Sequence, residues 1–163
     1  MDKLSIVFFI VSVTFFIAGV VMFFYRRKFS SSKNISSKQI QLQAYERLTL
    51  LADRIALPNL VARLNQNNLS AKELQMLLIQ TIKQEYEYNI TQQIYVSDDA
   101  WTMIKNLKEQ NMYIINQIAD SLPQPTTGLD LSKKILSFCS NGEQGKFHEA
   151  VAAVLSFEAK KLL

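Results

Sequence analysis

Leu4 to Tyr25 reads LSIVFFIVSVTFFIAGVVMFFY, about twenty-two residues without a charge. As a helix rising 1.5 Å per residue, it can cross the roughly 30 Å hydrocarbon core of a bilayer. A helix satisfies its own backbone in lipid, so Ser5, Ser12, Thr14 and Gly19 are tolerable there, and Tyr25 suits the interface. A cleaved signal peptide is the rival reading. Against it, the charged region ahead of the run is only Asp2 and Lys3, and the run exceeds the usual signal core. Arg26-Arg27-Lys28 follows where a small-residue cleavage site would stand. The stretch therefore predicts one retained N-terminal transmembrane helix.

Outward from that helix, charge sets the direction. Arg26, Arg27, Lys28, Lys33 and Lys38 form a run of five cations with no acid among them, whereas Lys3 is offset by Asp2. Positive flanks stay inside, which predicts the N-terminus outside and the rest of the chain in the cytoplasm. The same five cations are candidate contacts to anionic headgroups, each worth on the order of 1 kcal/mol near the surface, or serve only as the topology signal. From Gln39 onward, 12 Lys and Arg face 13 Asp and Glu, so the net charge of +4 belongs to the membrane-proximal segment. A domain close to neutral has no basic face for nucleic acid. Cys139 is the one cysteine, which excludes an intramolecular disulfide and fits a reducing compartment.

The organisation that follows is a transmembrane anchor with its basic flank (1–28), a polar Ser-rich linker (29–38) and a cytoplasmic helical domain (39–163). Four Gly and three Pro are too few for a turn-rich β fold. Ile40, Ala44, Leu48, Leu51 and Ile55 recur at helical spacing, and Pro58 halts that helix before a short second one around Leu60, Val61 and Leu64. Ser70-Ala71-Lys72-Glu73 is a capping box that opens a long helix to about Ile94. Ser97 before Asp98 and Asp99 starts the next, which carries Trp101, Ile104, Leu107, Ile115 and Ile118 inward and ends before Pro123. A loop over 124–128, a helix from Leu129 to about Ser140 and a last one over 143–162 complete the chain, with Phe147, Val151, Val154 and Leu155 inward. The expected fold is all-α: the anchor, then a small bundle of about five to six helices. No repeat or sustained heptad is present.

The long helix holds the informative anomaly. Counting about 100° per residue from Leu74, Leu77, Leu78, Thr81 and Tyr88 define an apolar face, and Glu85, Asn89 and Gln92 fall in its middle. An unpaired buried carboxylate costs several kcal/mol, so Glu85 must be paired, protonated or lining a cleft. Three readings follow: an interhelical hydrogen-bond network with Asn111 as a partner, a groove for a ligand or partner, or a helix break near Asn89 that exposes the polar groups. Tyr86, Tyr88, Tyr95 and Trp101 cluster at this corner, as core packing or as a ligand cage. The candidate binding set is Glu85, Asn89, Gln92 and Trp101.

Catalytic and metal signatures are lacking in the sequence. His148 is the only histidine, and its neighbour Glu149 points away from it on a helix. No nucleophile motif or Gly-rich phosphate loop is present, so neither a cofactor nor an enzyme activity is expected. Cys139 reads as a small buried hydrophobe. The sequons at Asn34, Asn68 and Asn89 matter only in a lumenal domain, and the terminal Lys160-Lys161-Leu162-Leu163 is explained by the helix dipole as readily as by a dilysine signal.

Ser70-Ala71 with Glu73-Leu74-Gln75, Glu85-Tyr86-Glu87-Tyr88-Asn89, Gln92 to Ser97, Trp101 and Thr127-Gly128-Leu129-Asp130-Leu131 together resemble an uncharacterised family of single-pass membrane proteins typical of Bacteroidota. Tyr45-Glu46-Arg47-Leu48 and Pro58-Asn59-Leu60 fit it too, so the resemblance runs from Gln41 to about Leu136. It implies a bacterial inner-membrane setting and lends no activity. The expectation is a membrane-tethered helical adaptor or accessory subunit working by protein–protein contact with a membrane or cytoplasmic protein, with a homo-oligomer also open. The alternative is a membrane-surface lipid- or small-ligand-binding module at the Glu85/Asn89/Gln92 corner. An enzyme is a distant third, and nucleic-acid binding is last.

Overall fold

The computed structural model describes residue 16 and residues 18–23, 37–64, 68–123, 125–141 and 147–163. The chain divides into two compact units, Met1–Ile40 and Gln41–Leu163. In the first, residues 16 and 18–23 are helical, and Phe16, Val20, Val21, Met22 and Phe23 are exposed. No helix among the described residues is long and apolar enough to cross a membrane. The rest of the Leu4–Tyr25 stretch, Arg26, Arg27, Lys28 and Lys33 lie outside the described residues. Of the expected linker, Ser37 and Lys38 are helical and exposed.

In the second unit every regular element among the described residues is helical: α1 (residues 41–55), α2 (Leu57–Leu64), α3 (Ala71–Tyr88), a 3-10 turn (Ile90–Ile94), α4 (Asp98–Asp120), α5 (Gly128–Asn141) and α6 (Phe147–Lys160). α3 packs on α2, α4 and α5, and α4 also meets α5 and α6. The core gathers Leu48, Leu51 and Ile55 of α1, Leu60 of α2, Leu74, Leu78 and Ile82 of α3, Ile104, Leu107 and Ile115 of α4, and Leu131 and Ile135 of α5. Of the inward residues expected in α6, Val151 and Leu155 are buried, and Phe147 and Val154 only half-buried. Ile40, expected inward, is exposed.

Pro58 shapes the first corner. It has no N–H, so the carbonyl of Arg54, four residues back, loses its helical donor. Arg63 Nη2 supplies one at 3.2 Å. The neighbouring Asp53 carbonyl accepts from Ala56 N at 3.2 Å and from Asn59 Nδ2 at 3.2 Å. Buried Asn111, on α4, donates from Nδ2 to the Ile55 carbonyl at 2.7 Å. A helix end can be buried here because side chains satisfy its carbonyls.

Ser70 caps α3 in the capping box the sequence predicts, with Glu73 returning the bond to Ser70 N at 2.8 Å. That hydrogen bonding holds the Glu73 carboxyl below its usual range. A short antiparallel bridge joins this start to that of α5: Ala71 N donates to Thr126 O at 2.9 Å and Gly128 N to Leu69 O at 2.8 Å. A Cβ on Gly128 would lie 2.9 Å from the Leu69 carbonyl oxygen, so the close approach requires glycine. Helix α5 begins at this glycine, one residue earlier than expected, because Thr127 and Asp130 cap it reciprocally.

Buried Tyr45 ties three elements. Its hydroxyl accepts from Ser97 N, the N-cap of α4, at 3.1 Å and donates to Glu158 Oε2 of α6 at 3.1 Å. Hydrogen bonds from Ser97, Lys161 and Tyr45 hold the Glu158 carboxyl below its usual range.

Candidate functional site

The inward face of α3 is rotated from the expected one. Its buried residues are Ala71, Leu74, Gln75, Leu78 and Ile82, a stripe centred about 60° from Leu74. Tyr88, expected on the apolar face, is 74% exposed, and Leu77 and Thr81 are half-buried. Ala71, Gln75 and Ile82, which the face counted from Leu74 leaves out, turn the stripe round, with Ala71 held beside the bridge to Thr126. Glu85 still falls within this stripe, between Leu74 and Leu78 in angle, and its side chain is 15% exposed.

Glu85 is paired. Arg54 of α1 donates to Glu85 Oε1 from Nε at 2.8 Å and from Nη2 at 2.5 Å, and Arg63 Nη2 of α2 stands 3.8 Å from the same oxygen. The hydrogen bond, then the charge attraction, raise the Arg54 guanidinium above its usual value.

Asn89 and Gln92 are buried, at 6% and 7% exposure, and both are built into a chain break. The α-helix ends at Tyr88, short of the expected Ile94, where Asn89 at φ −103°, ψ 4° turns the chain. Asn89 Nδ2 donates to the Glu85 carbonyl at 2.9 Å. The chain then tightens into the 3-10 turn, in which Gln92 N donates to Asn89 O at 2.9 Å and Tyr95 N to Gln92 O at 3.0 Å. The break near Asn89 therefore exists without exposing these two polar groups. It exposes Ile90, Ile94 and Tyr95 instead.

Trp101 is half-buried and stacks on Tyr86, ring centroids 5.2 Å apart, with Lys108 Nζ 4.5 Å from the Tyr86 centroid. Asn111, expected as a partner for Glu85 or Asn89, serves the Ile55 carbonyl instead. The four expected binding residues thus divide. Glu85 and Asn89 line an open groove between α1 and α3, while Gln92 and Trp101 are not among its lining residues.

That groove has a volume of about 520 Å³ and is walled by Arg47, Leu50, Leu51 and Arg54 from α1 and by Thr81, Gln84, Glu85, Tyr88 and Asn89 from the far end of α3. Leu51 is buried, while Leu50 stands 58% exposed at the rim opposite Tyr88. The Arg47 guanidinium lies 5.8 Å from the Tyr88 ring centroid, and among the described residues no carboxylate is in ion-pair reach of it. Two guanidiniums, Arg54 and Arg63, therefore gather about the Glu85 carboxylate, and Arg47 stands apart from it over Tyr88. Sequence reading missed Arg47, Leu50 and Arg54, although spacings of three and seven residues put them on one side of α1 and were there to be read.

The remaining candidates are ordinary. Lys38 is exposed, and His148 is half-buried at the start of α6. Burial pushes the Cys139 thiol up, as suits a small core hydrophobe. Among the described residues no group of three or more His, Cys, Asp and Glu could hold a metal ion.

Comparison with curated proteins and with solved structures gives no match. A family model does match, over residues 3–162, nearly the whole chain. The chain therefore belongs to a family of unknown function, DUF7935.

Proposed function

We propose that this chain is a single-pass protein of a bacterial inner membrane, of a type found in Bacteroidota, and that its helical unit is a cytoplasmic adaptor or accessory subunit. Leu4 to Tyr25 anchors it, and the cations from Arg26 to Lys38 hold the C-terminal side in the cytoplasm against anionic lipid. Its mechanism is tethering: confinement beside the bilayer raises the effective concentration of the unit and its partner. It acts by protein–protein contact, without catalysis.

The observation that carries this reading is the α1–α3 groove. Its rim presents an exposed leucine, an exposed tyrosine and an arginine with no carboxylate in reach among the described residues, Leu50, Tyr88 and Arg47. Tyrosine and arginine are enriched among residues that dominate binding energy at protein interfaces. The site's one carboxylate is already engaged by Arg54, which leaves little for acid–base chemistry.

A second reading, a lipid- or small-ligand-binding module, draws on the groove's size: about 520 Å³ falls within the roughly 300–1,000 Å³ of small-ligand sites. Affinity capture of the full-length protein from native membranes in mild detergent, read by mass spectrometry, decides between them. Tyr88→Ala and Leu50→Ser alter exposed side chains and leave the core intact. A protein partner retained by wild type and lost by both variants, with unchanged circular dichroism, supports the adaptor. Capture unaffected by either variant, or no specific partner at all, removes it and brings the ligand reading forward.

A further inference from the structure

The groove's dimensions and charges narrow what it receives. Arg47 to Arg54 on α1 and Thr81 to Tyr88 on α3 each cover eight residues, about 10 Å or two helical turns. The helices run antiparallel along it, since Arg54 meets Glu85 while Arg47, two turns earlier, meets Tyr88. Two helices flanking an apolar floor, Leu51, with apolar rims, Leu50 and Tyr88, suit a third helix laid between them. A bilayer surface is flat and reaches projecting ledges better than a concave floor.

Charge sets the composition of that third helix. Arg54 is committed to Glu85 through two hydrogen bonds, and Arg63 approaches the same carboxylate. Among the described residues Arg47 meets the Tyr88 ring and no carboxylate. An occupant covering Leu50 and Tyr88 also strips water from Arg47, which is unfavourable unless the occupant brings an anion. A carboxylate answers guanidinium geometry with two parallel hydrogen bonds. We propose that the α1–α3 groove receives an acidic amphipathic helix of a partner protein, its apolar residues between Leu50 and Tyr88 and its carboxylate on Arg47. This rests on the adaptor reading and makes it specific.

The test uses the full-length protein in detergent micelles and three labelled synthetic helices with blocked ends. One carries a leucine stripe flanked by glutamates, one has lysines for the glutamates, and one has serines for the leucines. Fluorescence anisotropy should give saturable binding of the glutamate helix, with the other two weaker by roughly tenfold or more, the equivalent of about 1.4 kcal/mol. Arg47→Glu should weaken the glutamate helix by a similar factor and strengthen the lysine helix. Tyr113→Ala, in the separate hollow between α4 and α5, should change neither. Equal binding of glutamate and lysine helices, indifference to Arg47→Glu, or no binding at millimolar concentration overturns the proposal. Displacement of the glutamate helix by phosphatidylglycerol vesicles, abolished by Arg47→Glu, also overturns it, because the groove then takes a lipid headgroup. A native partner lost on Tyr88→Ala but kept on Arg47→Glu leaves the adaptor reading standing while the acidic helix falls.

Discussion

Where α3 faces α4, and where α4 reaches the end of α1, polar groups are few and matched. Gln75 Nε2 donates to Asn116 Oδ1 at 2.8 Å, and Asn111 donates to the Ile55 carbonyl at 2.7 Å. Where α3 faces α1, the charged groups are unequal in number, two guanidiniums (Arg47 and Arg54) to one carboxylate, and the space between is open. Polar groups in the first region are counted out to the packing, since an unmatched one there costs the full desolvation penalty. Those in the second stay wet, so a surplus cation costs little until something covers it. Stability should therefore answer to changes in the first region and binding to changes in the second.

The largest effect is expected at Asn111. Asn111→Ala leaves the Ile55 carbonyl buried without its donor, which should cost about 1–3 kcal/mol in urea unfolding of the full-length chain in micelles. A loss well under 0.5 kcal/mol would mean that water reaches that carbonyl, and the contrast between the regions would weaken.

A smaller effect is expected at Gln75, because its partner Asn116 is only half-buried and can turn to water. Gln75→Leu should cost about 0.5–1.5 kcal/mol or less, since the leucine recovers part of the burial. A double-mutant cycle with Asn116→Ala isolates the pair, and a coupling energy indistinguishable from zero would show the bond to be incidental.

How far the sequence foretold these regions follows from what each depends on. The caps at Ser70 and Ser97, the stop at Pro58 and the end of α4 before Pro123 are local, and each was legible from a few neighbouring residues. The corner at Asn89 was half legible. Three polar residues mark it on the apolar-looking face of Leu74, Leu77, Leu78, Thr81 and Tyr88, but the buried stripe also takes in Ala71, Gln75 and Ile82 and is turned away from Tyr88. Asn89 and Gln92 proved to be the hydrogen bonding of a chain break, and only Glu85 reached the groove with a partner from another helix. Asn111 stood out as a mid-face polar residue, yet its acceptor lies 56 positions away on a carbonyl. No periodicity names a partner at that distance. Arg47, Leu50 and Arg54 looked like the solvated side of α1, which they are, and only the placement of α3 beside them makes a groove.

The smallest stability effect, and the most diagnostic one, is expected at Glu85. Glu85→Gln removes the ion pairs with Arg54 and Arg63 but keeps the side chain's volume and an acceptor oxygen. Arg54 is 45% exposed, so the pair should contribute only about 0.2–1 kcal/mol. The same change removes the one carboxylate among the groove's described lining residues and leaves Arg47 and Arg54 with none there to pair. Affinity for an acidic helix should therefore rise a few-fold, and its fall with added salt should steepen. If Glu85→Gln instead unfolds the chain by several kcal/mol, Glu85 belongs with Asn111 as a group matched to the packing. If stability holds and acidic binding weakens, Glu85 orients Arg54 for the ligand rather than competing with it. A modest loss of stability together with tighter acidic binding is the one outcome that fits a wet groove whose spare cations await a carboxylate.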